Sequence, residues 1–112
     1  YKRQPMILIN VKFRPKPEYV ENFREKVADF TDASRAEEGN IFFDWFRNTD
    51  DPEEYILIEA FHDDAAEAHV GSDHFKAAQE LFPQLLTRTP EIINTLIEGK
   101  TEWDAMAEFK VD

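Results

Sequence analysis

Two short apolar segments joined by a polar turn place the strongest constraint on how this chain folds. Residues 41–47 and 55–61 are rich in aromatic and β-branched side chains, which favour strands. The connection at residues 48–53 contains Asp51-Pro52, which is a turn signal. Because so short a connection joins strands only in the antiparallel sense, the two segments predict a β-hairpin.

The position of the turn also predicts which residues pair across this hairpin. Folding about Asp51 places Trp45 opposite Leu57 and Arg47 opposite Tyr55. Successive strand residues point to opposite faces of a sheet, so one face of the hairpin should meet the helices. The other face is apolar as well and therefore needs a second cover.

Hydrophobic periodicity predicts the rest of the architecture. The remaining elements are a strand at 6–13, a helix at 17–37, a short helix at 63–71, a longer helix that begins at Ser72, and a strand at 91–98. The order β-α-β-β-α-β is that of a ferredoxin-like α+β fold with an antiparallel sheet. A sheet this small cannot cover its own second face, so we expect a homodimer that packs sheet against sheet.

Local signals predict where the helices begin and end. Gly39 is expected to close the first helix and Gly71 the short one, with Ser72 as the N-cap of the next. Pro83 is expected to kink or end that last helix. Residues 107–111 are expected to form a short final strand or a swapped tail.

Length and composition narrow the class of protein. The chain of 112 residues suits one domain, which we place at residues 6–112 after a flexible extension at 1–5. A net charge of −11 disfavours nucleic acid and anionic membranes as partners. There is no cysteine, and no apolar run approaches the roughly 20 residues of a membrane span. No signal peptide is visible, so a cytoplasmic protein is expected.

The histidines are the side chains best suited to acid–base chemistry, because imidazole titrates near neutrality. His62, His69 and His74 are spaced by seven and five residues, which does not match the i, i+4 spacing of zinc ligands on a helix. We therefore expect no metal site. His74 opens the last helix and is the leading candidate for a general base, with His69 second.

Side chains in the predicted strands supply the other candidates. Asn10 is polar in an apolar strand, where a buried amide must find a hydrogen-bond partner or face a ligand. Trp45 and Tyr55 either pack in the core or form a flat wall for an aromatic ligand. Glu59 lies between two apolar residues and is expected to have a buried or interface partner.

Asn10 and three segments of the chain resemble the antibiotic biosynthesis monooxygenase family, in particular its small quinol monooxygenases from bacteria. The segments are residues 38–47 (EGNIFFDWFR), 55–61 (YILIEAF) and 69–75 (HVGSDHF). The Ser-x-His-Phe start of the last helix is the most specific of these features. The resemblance extends from Met6 to about Gly99.

The resemblance implies a dimeric α+β barrel with a pocket between the sheet and the helices. It implies oxidation of a small phenol or quinol by dioxygen, with no cofactor. Asn10, Trp45 and His74 would be the catalytic residues, with His74 accepting a proton and Asn10 stabilising the oxyanion. The side chains expected around the aromatic substrate are Tyr55, His69, Phe75, Arg47 and His62.

Two alternatives of other classes stay open. A non-catalytic binding module, or an isomerase of the same fold, would use the same apolar pocket, and a pocket filled by the chain's own aromatic side chains would favour the binding module. Haem-degrading relatives have an Asn, a Trp and an axial His. Only Asn10 matches them, because His69 and Gln79 occupy the other two positions, so the sequence disfavours haem degradation.

Overall fold

A computed structural model describes residues 5–112 and has the predicted ferredoxin-like α+β architecture. The strands are β1 (Met6–Phe13), β2 (Asn40–Arg47), β3 (Tyr55–His62) and β4 (Glu91–Ile97). The helices are α1 (Phe23–Lys26), α2 (Ala28–Arg35), α3 (Ala66–Val70) and α4 (Asp73–Leu85). Of the predicted N-terminal extension, residues 1–4 lie outside the described residues.

The four strands form one antiparallel sheet in the order β2-β3-β1-β4. Trp45 pairs with Leu57 and Arg47 with Tyr55, which confirms the register predicted from the turn. In the described residues, no helix is long and apolar enough to cross a membrane.

An aromatic core fills the space between the sheet and the helices. Phe23 of α1 is completely buried at its centre. Its ring lies 4.9 Å from that of Tyr55 and 5.5 Å from that of Trp45, measured between centroids. Phe13 and Phe82 complete the cluster, with their centroids 5.4 Å apart. Burial of such large rings is the main source of the stability of this small domain.

The first helix is the clearest departure from the sequence prediction. In place of one helix over 17–37, a 3₁₀ turn at Pro17–Tyr19 precedes α1 and α2, which meet at Val27. The hydroxyl of Thr31 donates to the carbonyl of Val27 at 2.8 Å. A threonine that hydrogen-bonds back to the preceding turn bends a helix, and this accounts for the break at Val27.

Gly39 does not close a helix, because α2 already ends at Arg35. Its role is close packing. A Cβ atom at Gly39 would lie 2.0 Å from Cβ of Ala65, in the turn before α3. Only glycine therefore allows the start of β2 to approach the chain at this point.

The Gly39→Ala variant is consequently expected to lose roughly 1–3 kcal/mol of unfolding free energy, the usual cost of overpacking a close contact. Urea denaturation of the purified protein measures this loss. The double variant Gly39→Ala/Ala65→Gly exchanges the two side chains and should recover most of it. An unchanged denaturation midpoint in the single variant would contradict the packing explanation.

The C-terminal elements also differ in part from expectation. Pro83 lies inside α4, which continues to Leu85, so the proline does not itself end the helix. The predicted strand at 107–111 is absent, and a 3₁₀ turn forms at Ala107–Phe109 instead. Trp103, which precedes this turn, packs against Phe42, with 5.6 Å between ring centroids.

The sheet face opposite the helices carries apolar side chains that one chain leaves partly open. Leu8 and Ile58 are half-buried, whereas Phe46 is 50% and Ile93 is 74% exposed. This is the face through which the sequence predicts sheet-to-sheet dimerisation. The structure describes a single chain, and the homodimer stays a prediction.

Candidate active site

Four ionisable side chains from four parts of the fold meet beside the sheet, and we call them the His–Glu cluster. Glu59 lies on β3, His69 in the last turn of α3 and His74 in the first turn of α4. Glu37 lies in the turn that follows α2. Since these positions are far apart in the sequence, the tertiary fold alone assembles the cluster.

The carboxylate of Glu37 joins the two imidazoles. Its Oε2 atom lies 2.6 Å from Nδ1 of His69 and 2.6 Å from Nε2 of His74. A carboxylate oxygen only accepts hydrogen bonds, so each ring must direct an N–H toward it. Charge-assisted hydrogen bonds of this length are strong, and together they fix the orientation of all three side chains.

The junction between α3 and α4 sets the positions of both histidines. Ser72 is the N-cap of α4, as predicted, because its Oγ atom accepts the N–H of Phe75 at 3.2 Å. The same hydroxyl donates to the carbonyl oxygen of His69 at 2.6 Å. One side chain thus links the end of one helix to the start of the next.

Aromatic packing holds the ring of His69 in place. Its centroid lies 4.4 Å from that of Phe61, with 32° between the planes, and 5.2 Å from that of Phe75. The side chain of His69 is only 5% exposed, whereas that of His74 is 23% exposed. His74 is therefore the imidazole that solvent or a ligand can approach.

Glu59 is buried against the same histidine, which confirms the expectation of a buried partner. Its Oε1 atom lies 3.7 Å from Nε2 of His69. Removal from water, and then the nearby carboxylate of Glu37, raise the pKa of Glu59 from 4.5 to about 8. At neutral pH this carboxyl therefore holds a proton inside the fold.

An open cleft of about 630 Å³ lies beside the cluster. It is lined by Glu37, Glu38, Gly39, His62, Asp64, Ala65, Ala68 and Ser72. A cleft of this size suits a small organic ligand. Glu37 is the member of the cluster that forms part of its wall.

Trp45 and Tyr55, two of the predicted site residues, serve the core instead. The indole N–H of Trp45 donates to Oγ1 of Thr31 at 2.9 Å, and the indole is buried among aromatic rings. The hydroxyl of Tyr55 donates to the carbonyl of Val20 at 2.5 Å. Both polar groups already have partners, so neither forms the wall of an open pocket.

Asn10 does not join the predicted site, because it lies on the wrong face of the sheet. It pairs with Ile58, whereas Trp45 pairs with the adjacent residue Leu57. Paired residues share a face and consecutive residues alternate, so Asn10 and Trp45 point in opposite directions. The expectation that Asn10, Trp45 and His74 converge on one pocket between sheet and helices is therefore wrong.

The remaining predicted residues divide between the cluster and its surroundings. Phe75 packs on His69 as described, and His62 lines the cleft. Arg47 lies at the far end of the hairpin, where its Nη2 atom is 2.8 Å from Oε1 of Glu21 and its guanidinium stacks on Tyr55. Arg47 is therefore part of a surface ion pair and not of the cleft.

Sequence reasoning missed Glu37, the residue that connects the others. Its one available signal is the Glu37-Glu38-Gly39 run immediately before the second strand. A carboxylate in a solvent-facing turn has no periodicity to mark it, and many acidic residues in this chain lie in similar contexts. Only the packing of that turn against α4 distinguishes Glu37.

Comparison with known proteins agrees with this fold. The antibiotic biosynthesis monooxygenase family profile matches residues 6–81, which covers β1 through most of α4. The chain belongs to the antibiotic biosynthesis monooxygenase family.

Individual proteins are similar to this chain in sequence or in structure. "Putative monooxygenase YcnE" of Bacillus subtilis is 29% identical over 91 residues, which span 80% of this chain and 96% of YcnE. A solved structure of a conserved protein from Methanosarcina mazei has a TM-score of 0.75 at 26% identity, and the match covers 82% of this chain and 92% of that one. An antibiotic biosynthesis monooxygenase homologue from Nitrosomonas europaea superposes with a TM-score of 0.75 at 24% identity, over 85% and 92% of the two chains.

Proposed function

We propose that this protein is a monooxygenase that oxidises a small phenol or quinol with dioxygen, without an added cofactor. The observation that carries the proposal is Glu37, a residue of the cleft wall whose carboxylate oxygen Oε2 lies 2.6 Å from nitrogen atoms of two imidazoles. A substrate hydroxyl bound in the cleft would lose its proton to the pair formed by Glu37 and His74. Family membership supports the class of reaction.

The proposed reaction is balanced without an external reductant. A quinol and one molecule of dioxygen give a hydroxyquinone and one molecule of water. One oxygen atom forms a new C–O bond where a ring C–H bond breaks, and the other leaves as water with two hydrogens. The substrate supplies all four electrons, two from the ring C–H and two from conversion of the quinol to the quinone.

Proton removal is the step to which this chain's residues contribute most directly. A phenolate gives electrons to dioxygen far more readily than a phenol, so a base in contact with the hydroxyl accelerates the reaction. The imidazole of His74 stays partly exposed and shares its N–H with Glu37, so the two can hold the added proton. Phe30, 6.1 Å from His74 between ring centroids, shields one side of this pair from water.

The oxyanion role predicted for Asn10 is not part of this proposal. Its side chain faces away from the helices, on the side of the sheet opposite the cluster.

Oxygen uptake by chelator-treated protein tests the proposal. With hydroquinone as substrate, we expect oxygen uptake to be well above the rate at which hydroquinone autoxidises in buffer. Under ¹⁸O₂ the hydroxyquinone product should contain one ¹⁸O atom. Added catalase should release no oxygen, because a monooxygenase makes water and an oxidase makes peroxide. Uptake equal to the buffer rate would contradict the proposal.

A non-catalytic binding module is the second candidate, and one observation favours it. The space between sheet and helices, where the sequence places the ligand pocket, is filled by Phe13, Phe23, Trp45 and Phe82. The open cleft would then bind a ligand without changing it. Saturable binding of phenols by calorimetry, with no oxygen uptake, would select this function over the first.

A further inference from the structure

We propose that Glu37, His69 and His74 bind one divalent transition-metal ion, with zinc as the ion that tests it. One donor atom from each residue lies within 4.8 Å of the other two. Two imidazole nitrogens and one carboxylate oxygen are the ligand set of catalytic zinc sites and of several iron sites. This proposal concerns binding alone. The ion would occupy Glu37 and His74, the groups that accept the substrate proton in the proposed oxidation, so the two roles belong to the metal-bound and the metal-free chain, respectively.

The two imidazole nitrogens already face the third donor atom, Oε2 of Glu37. Nδ1 of His69 and Nε2 of His74 both point at the same oxygen of Glu37, each at 2.6 Å. Around a tetrahedral zinc ion with bonds of about 2.0–2.2 Å, the donors would lie roughly 3.4 Å apart. Each of these two contacts needs to widen by less than about 1 Å, which small side-chain rotations supply. The ion would replace the protons that now lie between the rings and the carboxylate.

Glu59 provides a second, independent observation. Its Oε1 atom lies 3.7 Å from Nε2 of His69, the ring nitrogen on the far side from the proposed metal position. A carboxyl oxygen close to the remote nitrogen of a ligating histidine is a recurring partner in zinc sites, and at 3.7 Å Glu59 lies just outside hydrogen-bond distance of that nitrogen. The stacked ring of Phe61 holds the same imidazole at 4.4 Å. The buried ligand of the set is thus fixed in advance.

Three protein ligands leave a fourth position for water or another small ligand, as in catalytic zinc sites. The cleft adjoins the cluster at Glu37, so this position would open toward it. The net charge of −11 also favours the approach of a cation.

The proposal departs from the sequence expectation of no metal site. That expectation compared the histidines with ligands spaced along a single helix. Here the donors come from the turn after α2, the end of α3 and the start of α4, and one of them is a glutamate. A site assembled from three elements leaves no fixed spacing in the sequence.

Titration of the chelator-treated chain with zinc in a calorimeter tests the proposal. We expect one ion per chain at neutral pH, with a heat that depends on the buffer because protons are released. His74→Ala and Glu37→Gln should each weaken zinc binding by at least about tenfold. His62→Ala is the control. His62 is not one of the three ligands, so this variant should bind zinc with the affinity of the unmodified chain.

Cobalt and thermal melts give readouts that do not depend on activity. Cobalt should produce the strong visible absorption of a tetrahedral site in the unmodified chain, and zinc should raise its melting temperature. Both effects should be lost in His74→Ala and Glu37→Gln, whose metal-free melting curves show whether they fold. If either variant unfolds, His74→Asn and Glu37→Ala take its place. Absence of zinc binding, or equal binding by all variants, would overturn the proposal while leaving the oxidation to be judged separately.

Discussion

Replacement of His74 by alanine is expected to lower kcat/KM for quinol oxidation by roughly 10²–10⁴-fold, the usual contribution of a general base. His74 is the exposed imidazole of the His–Glu cluster, and its Nε2 atom shares a short hydrogen bond with Glu37. Its removal takes away one of the two groups that accept the substrate proton. Glu37→Gln keeps the shape of the side chain and removes its negative charge, so it should cause a loss of similar size.

Initial rates of oxygen uptake at a fixed pH measure these losses. Free imidazole, small enough to enter the vacated space, should restore part of the rate. Gln79→Ala is the matched control, because Gln79 is exposed on the same helix. Full activity in His74→Ala would show that His74 is not the general base.

The stability of this protein is expected to fall as the pH rises from about 4.5 to about 8, through the buried carboxyl of Glu59. Its pKa is raised to about 8 in the folded chain, so the folded state keeps a proton that the unfolded state has released. The unfolded state therefore binds fewer protons in this window, and unfolding becomes easier as the pH increases. The slope approaches roughly 1.4 kcal/mol per pH unit, and it vanishes below the unfolded pKa and above the folded one.

Glu59→Gln should abolish this contribution, because glutamine does not titrate. Urea denaturation at several pH values measures it in the variant and in the unmodified chain. Glu37 and His69, the ionisable groups nearest to Glu59, remain in both proteins, so the difference reports the ionisation of Glu59 together with its interaction with these neighbours. The variant should gain in relative stability from pH 5 to pH 8. A difference that stays constant over that range would contradict the raised pKa.

The hairpin shows how far local sequence determines the fold. A short turn and two β-rich segments were enough to predict the pairing of Trp45 with Leu57, and the structure has that register. The Ser72 cap was equally predictable, because a serine before a helix acts on a backbone N–H only three residues away. Both features depend on contacts between residues close in sequence, or on the alternation that a sheet imposes.

The prediction of one helix over 17–37 was wrong, because the break depends on a contact that the periodicity does not show. Its periodicity is genuine, but the chain bends at Val27 where the hydroxyl of Thr31 returns to the backbone. The sequence around Gly39 also does not indicate its close contact with Ala65, which lies in the turn before α3. Such contacts depend on how the elements pack, and a pattern read along one element does not contain them.

Some features of the candidate site were likewise predictable from the sequence, and others depend on the tertiary structure. The sequence alone predicted His69 and His74 as site residues, because they flank a helix junction. It predicted a buried or interface partner for Glu59 as a structural feature, because a carboxylate in an apolar strand needs one. The sequence also determined the fold class and the family. The tertiary structure decided that Glu37 joins the histidines, that Trp45 and Tyr55 belong to the core, and that Asn10 faces the other side of the sheet. The physical reason is that hydrogen bonds and burial act between residues adjacent in space, and only the packed fold makes these residues neighbours.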